Sequence, residues 1–339
     1  MLNAHQCNIM KTYNYNETSA RIYGLLGIDS GEGFIRLPKE ILERVPRLKI
    51  ASDKPVGGRL CFRTASKKIR IEIFLENVFV DRGFAFYQSN VANCFIGERK
   101  TAEFAGILSA DKSYDENSVY GEFNNNGLND ITVYLPRNPT VTGITISVDD
   151  DAEILPPTPY TIQKPFVFYG SSIVEQGHCS NSTAYTNLIS RYFDADFYNF
   201  GFSGDARGDI ALAEFFGKMP KTVFFYDYDH NAPDAEFLRN THYPFYETFR
   251  KFDNTSPIIM SSKPADDFAD TAERLEIIKE TYAKAKASGD ENIYFIDGGT
   301  FFDGVPLSIC TTDRTHPNDL GHYLMAKKEI ELLKEIGIQ

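Results

Sequence analysis

Two distant stretches of this 339-residue chain carry the side chains of a nucleophile, a base and a base-orienting acid. Ser172 lies in Tyr-Gly-Ser-Ser-Ile at 169–173. A serine hydroxyl is a poor nucleophile until a base removes its proton. His316, in Thr-Asp-Arg-Thr-His-Pro at 312–317, is the candidate base. Pro317 disfavours a helical conformation for His316, so the imidazole is expected on a loop. Asp313 stands three residues earlier. On a tight turn that spacing puts a carboxylate beside the imidazole, where it fixes the tautomer and stabilises the imidazolium.

Each signal is weak alone. Gly-Ser-Ser after a strand is more often a turn or a helix cap, or a phosphate cradle, although the glycine spacing of a P-loop is missing. Asp-x-x-His is more often a cap beside a solvated histidine. Asp227 and His230 repeat the same spacing elsewhere.

Attack on a carbonyl also needs donors for the oxyanion, and losing one costs about 3–4 kcal/mol of barrier. Asn199–Asp205 offers Gly204, with Gly201 as a competitor. Asp227–Pro233 offers the Asn231 amide.

These pieces need elements to position them. Residues 20–150 alternate apolar and polar, the period of half-buried strands. Strands are expected at 59–64, 68–75, 83–88, 130–135 and 143–148, forming an antiparallel sandwich. The stretch DDDAEILPPTP at 149–159 cannot easily continue a sheet and marks the boundary. The expected units are a β-sandwich accessory domain at 1–155 and an α/β domain at 160–339.

From residue 164 short, continuously apolar strands alternate with helices, as in a buried parallel sheet. Strands are expected at 166–169, 197–200, 222–226, 257–260 and 292–296. Helices are expected at 183–193, 209–219, 235–252, 271–287 and about 319–336. Pro244 is expected to kink or break the third of these. Ligands of such sheets sit beyond the carboxyl ends of the strands. The candidate residues fall on the first, second, third and final loops of that edge.

Composition narrows the partners. Apolar content of 42% and charged content of 24% describe a globular chain with material for two cores. A net charge of -12 disfavours nonspecific binding to nucleic acid or anionic membrane. Trp is absent, so aromatic contacts to a ligand fall to Phe and Tyr. The five cysteines, Cys7, Cys61, Cys94, Cys179 and Cys310, have no CxxC spacing and suggest neither a disulfide framework nor a zinc site. The N-terminus lacks a signal-like apolar core, and no apolar run reaches transmembrane length. A cytoplasmic location is the expectation.

In combination, Gly-x-Ser, then Gly, then Asn, then Asp-x-x-His resembles the SGNH hydrolases, also called GDSL-type esterases, over roughly residues 164–337. The blocks YGSSIVEQGHCS at 169–180 and CTTDRTHPNDLGH at 310–322 are similar to a bacterial branch with an N-terminal β-sandwich. The resemblance implies a three-layer α/β/α fold with a five-stranded, flavodoxin-like parallel sheet, preceded by a jelly-roll-like sandwich. It implies Ser172 as nucleophile, Asp313 and His316 as acid and base, and Ser172, Gly204 and Asn231 as the oxyanion hole. It further implies a covalent acyl-enzyme and no cofactor or metal. Two departures stand out. Ser171 replaces the usual aspartate of the first block, and Asp-Tyr-Asp-His-Asn-Ala replaces the usual Gly-x-Asn-Asp.

Glu175, His178, Arg207 and His230 are candidate pocket residues, although each is more often structural. The leading expectation is an esterase or deacetylase removing small acyl groups, acetyl first, from a carbohydrate. A noncatalytic carbohydrate-binding protein on a hydrolase scaffold is one alternative. A metal-dependent hydrolase using Asp227, Asp229, His230, Asp313 and His316 ranks below it. The sandwich could bind sugar, rim the cleft or make a homo-oligomer contact.

Overall fold

The computed structural model describes residues 10–78, 85–110, 117–265 and 268–339. Among the described residues the N-terminal half holds nine strands: β1 (Met10–Asn14), β2 (Arg21–Tyr23), β3 (Arg59–Thr64), β4 (Lys68–Glu76), β5 (Ala92–Ile96), β6 (Glu103–Leu108), β7 (Ser118–Asn124), β8 (Asn129–Tyr134) and β9 (Thr140–Asp149). They form two antiparallel sheets, ordered β1-β9-β4-β7 and β2-β3-β8-β5-β6. Alternation decides which faces meet. Ile69, Ile71, Ile73 and Leu75 of β4 point inward onto Leu60, Phe62, Ile131 and Val133 of the other sheet.

Two local expectations fail here. Of the strand expected at 83–88, residues 83–84 lie outside the described residues, and Phe86–Asn90 form a short helix. The span between β2 and β3 is helical, with α1 (Leu26–Ser30), α2 (Lys39–Arg44) and α3 (Lys49–Ser52). Leu37, Ile41, Val45 and Leu48 from this span pack with Phe200, Phe202 and Phe216 of the C-terminal half in one core.

The C-terminal half is built on five parallel strands, β10 (Ile162–Gly170), β11 (Ala195–Gly201), β12 (Val223–Asp227), β13 (Ile258–Ser261) and β14 (Ile293–Ile296). Their order is β11-β10-β12-β13-β14, so the chain reverses direction across the sheet between β10 and β12. Alternate residues of β10 serve opposite faces. Phe166 and Phe168 join a layer with Tyr185, Ile189, Phe193 and Met325, while Val167 and Tyr169 join the layer of Leu212, Leu238 and Phe245.

The helices of this half are α5 (Ser172–Glu175), α6 (Tyr185–Phe193), α7 (Ile210–Lys218), α8 (Ala235–Arg250), α9 (Thr271–Ala287), α10 (Leu307–Cys310) and α11 (Asp319–Glu335), numbered after the helix at Phe86–Asn90 as α4. Pro244 does not break α8, which runs as one helix with Leu238, Phe245 and Phe249 all buried. Among the described residues no helix is long and apolar enough to cross a membrane. The described cysteines, Cys61, Cys94, Cys179 and Cys310, are buried free thiols.

Buried arginines stitch the halves together. Arg59 donates to the Phe197 carbonyl at 3.1 Å and pairs with Asp196. Arg99 meets Asp194 at 2.6 Å. Arg36 donates to the Asn199 carbonyl at 3.1 Å and to that of Gly201.

Candidate active site

Gly170 ends β10 where three loops converge. A Cβ there would meet the Asp227 carbonyl oxygen at 1.8 Å, so only glycine fits. The Gly170 carbonyl accepts from the Phe202 N–H at 2.9 Å, and the Ser171 N–H donates to the Asp227 carbonyl at 3.0 Å. These bonds hold the ends of β10, β11 and β12 in register. Ser171 is the cap of α5, its Oγ accepting the Ile173 N–H at 3.2 Å. Ser172 therefore begins the helix.

Ser172 Oγ lies 2.8 Å from His316 Nε2, and His316 Nδ1 lies 2.7 Å from Asp313 Oδ2. Asp313 also accepts the backbone N–H of His316 at 2.7 Å and of Thr315 at 3.0 Å. Arg314 closes this turn at φ 72°. Partial burial would raise the Asp313 pKa, but the hydrogen bonds and charge of His316 outweigh it and hold the carboxyl below its usual range. An ionised Asp313 draws the proton to Nδ1. That leaves the Nε2 lone pair to accept from Ser172.

His178 stacks on His316 with ring centroids 4.4 Å apart and planes 19° from parallel. Its Nδ1 contacts the Thr312 hydroxyl, and its backbone N–H donates to the Pro317 carbonyl at 2.8 Å.

On the second loop Gly204 is exposed at φ 76°, and its N–H bonds to nothing among the described residues. Gly201 differs: its N–H donates to Asn199 Oδ1 at 2.9 Å, and a Cβ there would strike the Glu175 N at 2.1 Å. On the third loop Asn231 Nδ2 donates to the Phe202 carbonyl at 2.7 Å, which leaves its second amide hydrogen.

The remaining candidates scatter. Glu175 is fully buried, and its carboxylate meets the Ser203 N–H, Arg137 and Lys54. Arg207 is exposed on the Gly204 loop, its Nη2 3.4 Å from the Gly204 carbonyl. His230 lies edge-on to Phe268 at 5.5 Å. Asp227 and Asp229 are buried, and burial together with each other's charge pushes Asp227 far up.

The metal set Asp227, Asp229, His230, Asp313 and His316 is not assembled. Among the described residues the trio with donor atoms within 4.8 Å is His178, Asp313 and His316. Both His316 nitrogens are already directed at Ser172 and Asp313.

Sequence reasoning missed Thr312 and the cations around Glu175, which are Arg36, Lys54 and Arg137. Those cations come from three separate loops of the N-terminal half, so no local spacing announces them.

The model of the GDSL-like lipase/acylhydrolase family matches residues 163–334. A search of curated proteins finds no match. Among solved structures, a protein assigned as a GDSL-like lipase from Bacteroides ovatus ATCC 8483 superposes with a TM-score of 0.85 at 22% identity, covering 97% of this chain and 98% of that one. The salicylyl-acyltransferase SsfX3 of a tetracycline biosynthetic pathway gives 0.76 at 16% identity, covering 97% and 99%. A family two carbohydrate esterase from Clostridium thermocellum, in complex with cellohexaose, gives 0.61 at 14% identity, covering 84% and 94%. At these identities the likeness shows a shared fold, including the β-rich N-terminal half.

Proposed function

As the chain belongs to the GDSL-like lipase/acylhydrolase family, we propose that it is a serine esterase that removes small acyl groups, acetyl first, from a carbohydrate. The observation that carries this reading is the continuous hydrogen-bonded line from Ser172 through His316 to Asp313, at 2.8 Å and 2.7 Å.

In this mechanism Ser172 Oγ attacks the ester carbonyl as His316 Nε2 takes its proton. Asp313 stabilises the imidazolium. The oxyanion is met by the N–H groups of Ser172 and Gly204 and by Asn231 Nδ2. Gly204 is favoured over Gly201 because the Gly201 N–H is already spent on Asn199. Collapse of the tetrahedral intermediate breaks the ester C–O bond, and His316 returns the proton to the leaving alcohol oxygen. Water, deprotonated by His316, then attacks the acyl-enzyme; the acyl C–O bond to Ser172 Oγ breaks, His316 returns the proton to Oγ, and the acid leaves.

The carbohydrate assignment is supported by the esterase neighbour that holds cellohexaose. A working location in the cytoplasm belongs to the same proposal and rests on the sparse cysteine set.

A panel of acetylated mono- and oligosaccharides and simple esters of increasing acyl length tests this reading. Acetate release from sugar esters that falls by about 10⁴–10⁶-fold in Ser172→Ala supports it. Unchanged hydrolysis by Ser172→Ala overturns the mechanism. Activity confined to long acyl chains overturns the substrate class.

A further inference from the structure

Glu175 is the last residue of α5, the short helix that begins at Ser172, and none of its surface reaches solvent. Its two oxygens face different partners. Oε2 accepts the Ser203 N–H at 2.7 Å, and Ser203 directly precedes Gly204. Oε1 lies 3.3 Å from Arg137 Nη2 and 3.7 Å from Lys54 Nζ. Arg36, also fully buried, adds a third positive charge and lies over the Phe202 ring at 4.7 Å. All three cations belong to the N-terminal half.

A carboxylate buried without counter-charge would take up a proton. Burial does act to raise the Glu175 pKa, but Arg137, Lys54, Arg36 and the Ser203 N–H outweigh it and leave the group below its usual range. An ionised carboxylate makes the stronger, charge-assisted bond to a backbone N–H.

We propose that Glu175 is a positioning residue for the oxyanion loop, clamped by Arg137 and Lys54, which makes the N-terminal half an integral part of the reaction centre. The inference rests on the esterase reading and deepens it. One end of α5 supplies Ser172, and the other end holds the loop that presents the Gly204 N–H. The carboxylate thereby fixes the distance between nucleophile and oxyanion donor. Rate is sensitive to such distances, since a misplacement of about 1 Å can cost about 10²-fold.

The test uses the full chain and the variants Arg137→Met, Glu175→Gln and Lys54→Met. Arg99→Met serves as a control, because its ion pair with Asp194 joins the same two halves without touching the Ser203 loop. Active sites are counted by the end point of fluorophosphonate labelling. Values of kcat and KM for 4-nitrophenyl acetate are then expressed per labelled site. A merely structural role would lower the count of sites and leave kcat per site unchanged.

The expected result is a fall in kcat per site of about 10–100-fold in Arg137→Met and Glu175→Gln, with KM within about threefold. Arg99→Met is expected to lose thermal stability and keep kcat per site within about twofold. Wild-type kcat per site in Arg137→Met and Glu175→Gln would overturn the proposal while leaving the esterase reading intact. Lys54→Met removes a side chain that keeps some solvent contact. Should Arg137→Met fail to fold, an unchanged kcat per site in Lys54→Met and Glu175→Gln overturns the proposal equally. Failure of the wild type to label at Ser172 would overturn the esterase reading itself, and the inference with it.

Discussion

The imidazole of His178 lies nearly flat on that of His316, with centroids 4.4 Å apart. It forms a wall for one face of the base, and the Thr312 hydroxyl and the Pro317 carbonyl hold that wall in place. His178→Phe keeps a flat ring there and is expected to retain kcat within about tenfold. His178→Ala removes the wall, frees the His316 ring and is expected to lower kcat by up to about 10²-fold. Equal kcat values for the two variants would show that stacking plays no part.

Asp313 accepts two backbone N–H groups with one oxygen and the His316 ring with the other. Asp313→Asn can keep the backbone bonds but turns an NH₂ toward Nδ1, which favours the wrong tautomer. Its kcat is expected to fall by about 10⁴-fold, with a modest loss of thermal stability at neutral pH. The Asp313 pKa is depressed in the folded chain. Its stabilising contribution is therefore present above the unfolded value near 3.8 and is lost as pH falls through the folded value. A pH-stability curve that Asp313→Asn leaves unchanged below pH 4 contradicts this assignment.

The two neighbouring serines separate cleanly. Ser171→Ala removes the α5 cap and is expected to cost about 1 kcal/mol of stability, read as a lower melting temperature. It keeps the nucleophile, so activity is expected to stay within about tenfold of wild type. A larger loss in Ser171→Ala than in Ser172→Ala would reverse the assignment.

Much of this was legible because periodicity and strand-end position are written locally. The strand expected at 59–64 coincides with β3, and the α/β strands fall where continuous apolar runs stand. Asp313 and His316 were legible because one turn carries both. The helices between β2 and β3 were not, because Leu37, Ile41 and Leu48 answer to apolar partners on the other half. The surroundings of Glu175 were not legible for the same reason. Proximity in sequence put it near Ser172, but the cations that bury it come from Arg36, Lys54 and Arg137.

Asn231 stands in a block that departs from the usual Gly-x-Asn-Asp pattern. The structure places its amide against the Phe202 carbonyl, on the loop that leads to Gly204. Asn231→Ala is expected to lower kcat by about 10²–10³-fold with a small change in KM. Gly204→Ala has open space for a methyl group, but φ of 76° strains it. The loop is then expected to shift and kcat to fall similarly. Wild-type kinetics in Asn231→Ala would remove it from the oxyanion hole.

Two buried histidines set part of the acid response. Burial lowers His242 and His322 to about 3. A histidine whose pKa drops on folding stabilises the chain above its unfolded value near 6.5 and loses that contribution as pH falls toward 3. At pH 5 the loss is about 2 kcal/mol for each. Buried Asp227 and Glu329 act in the opposite sense. Their raised pKa values favour folding at low pH and cost stability as pH rises. His242→Asn is expected to flatten the melting-temperature curve between pH 7 and 5, and Glu329→Gln to stabilise the chain at pH 8. Parallel curves for wild type and His242→Asn would contradict the first expectation.

The central claim is that Ser172 is the activated nucleophile. The most direct measurement is labelling of the full chain with a fluorophosphonate, followed by peptide mapping. The account expects one label per chain, on Ser172, abolished in Ser172→Ala and slowed strongly in His316→Ala. A label on another residue, or no label on a folded chain that still hydrolyses esters, would contradict it.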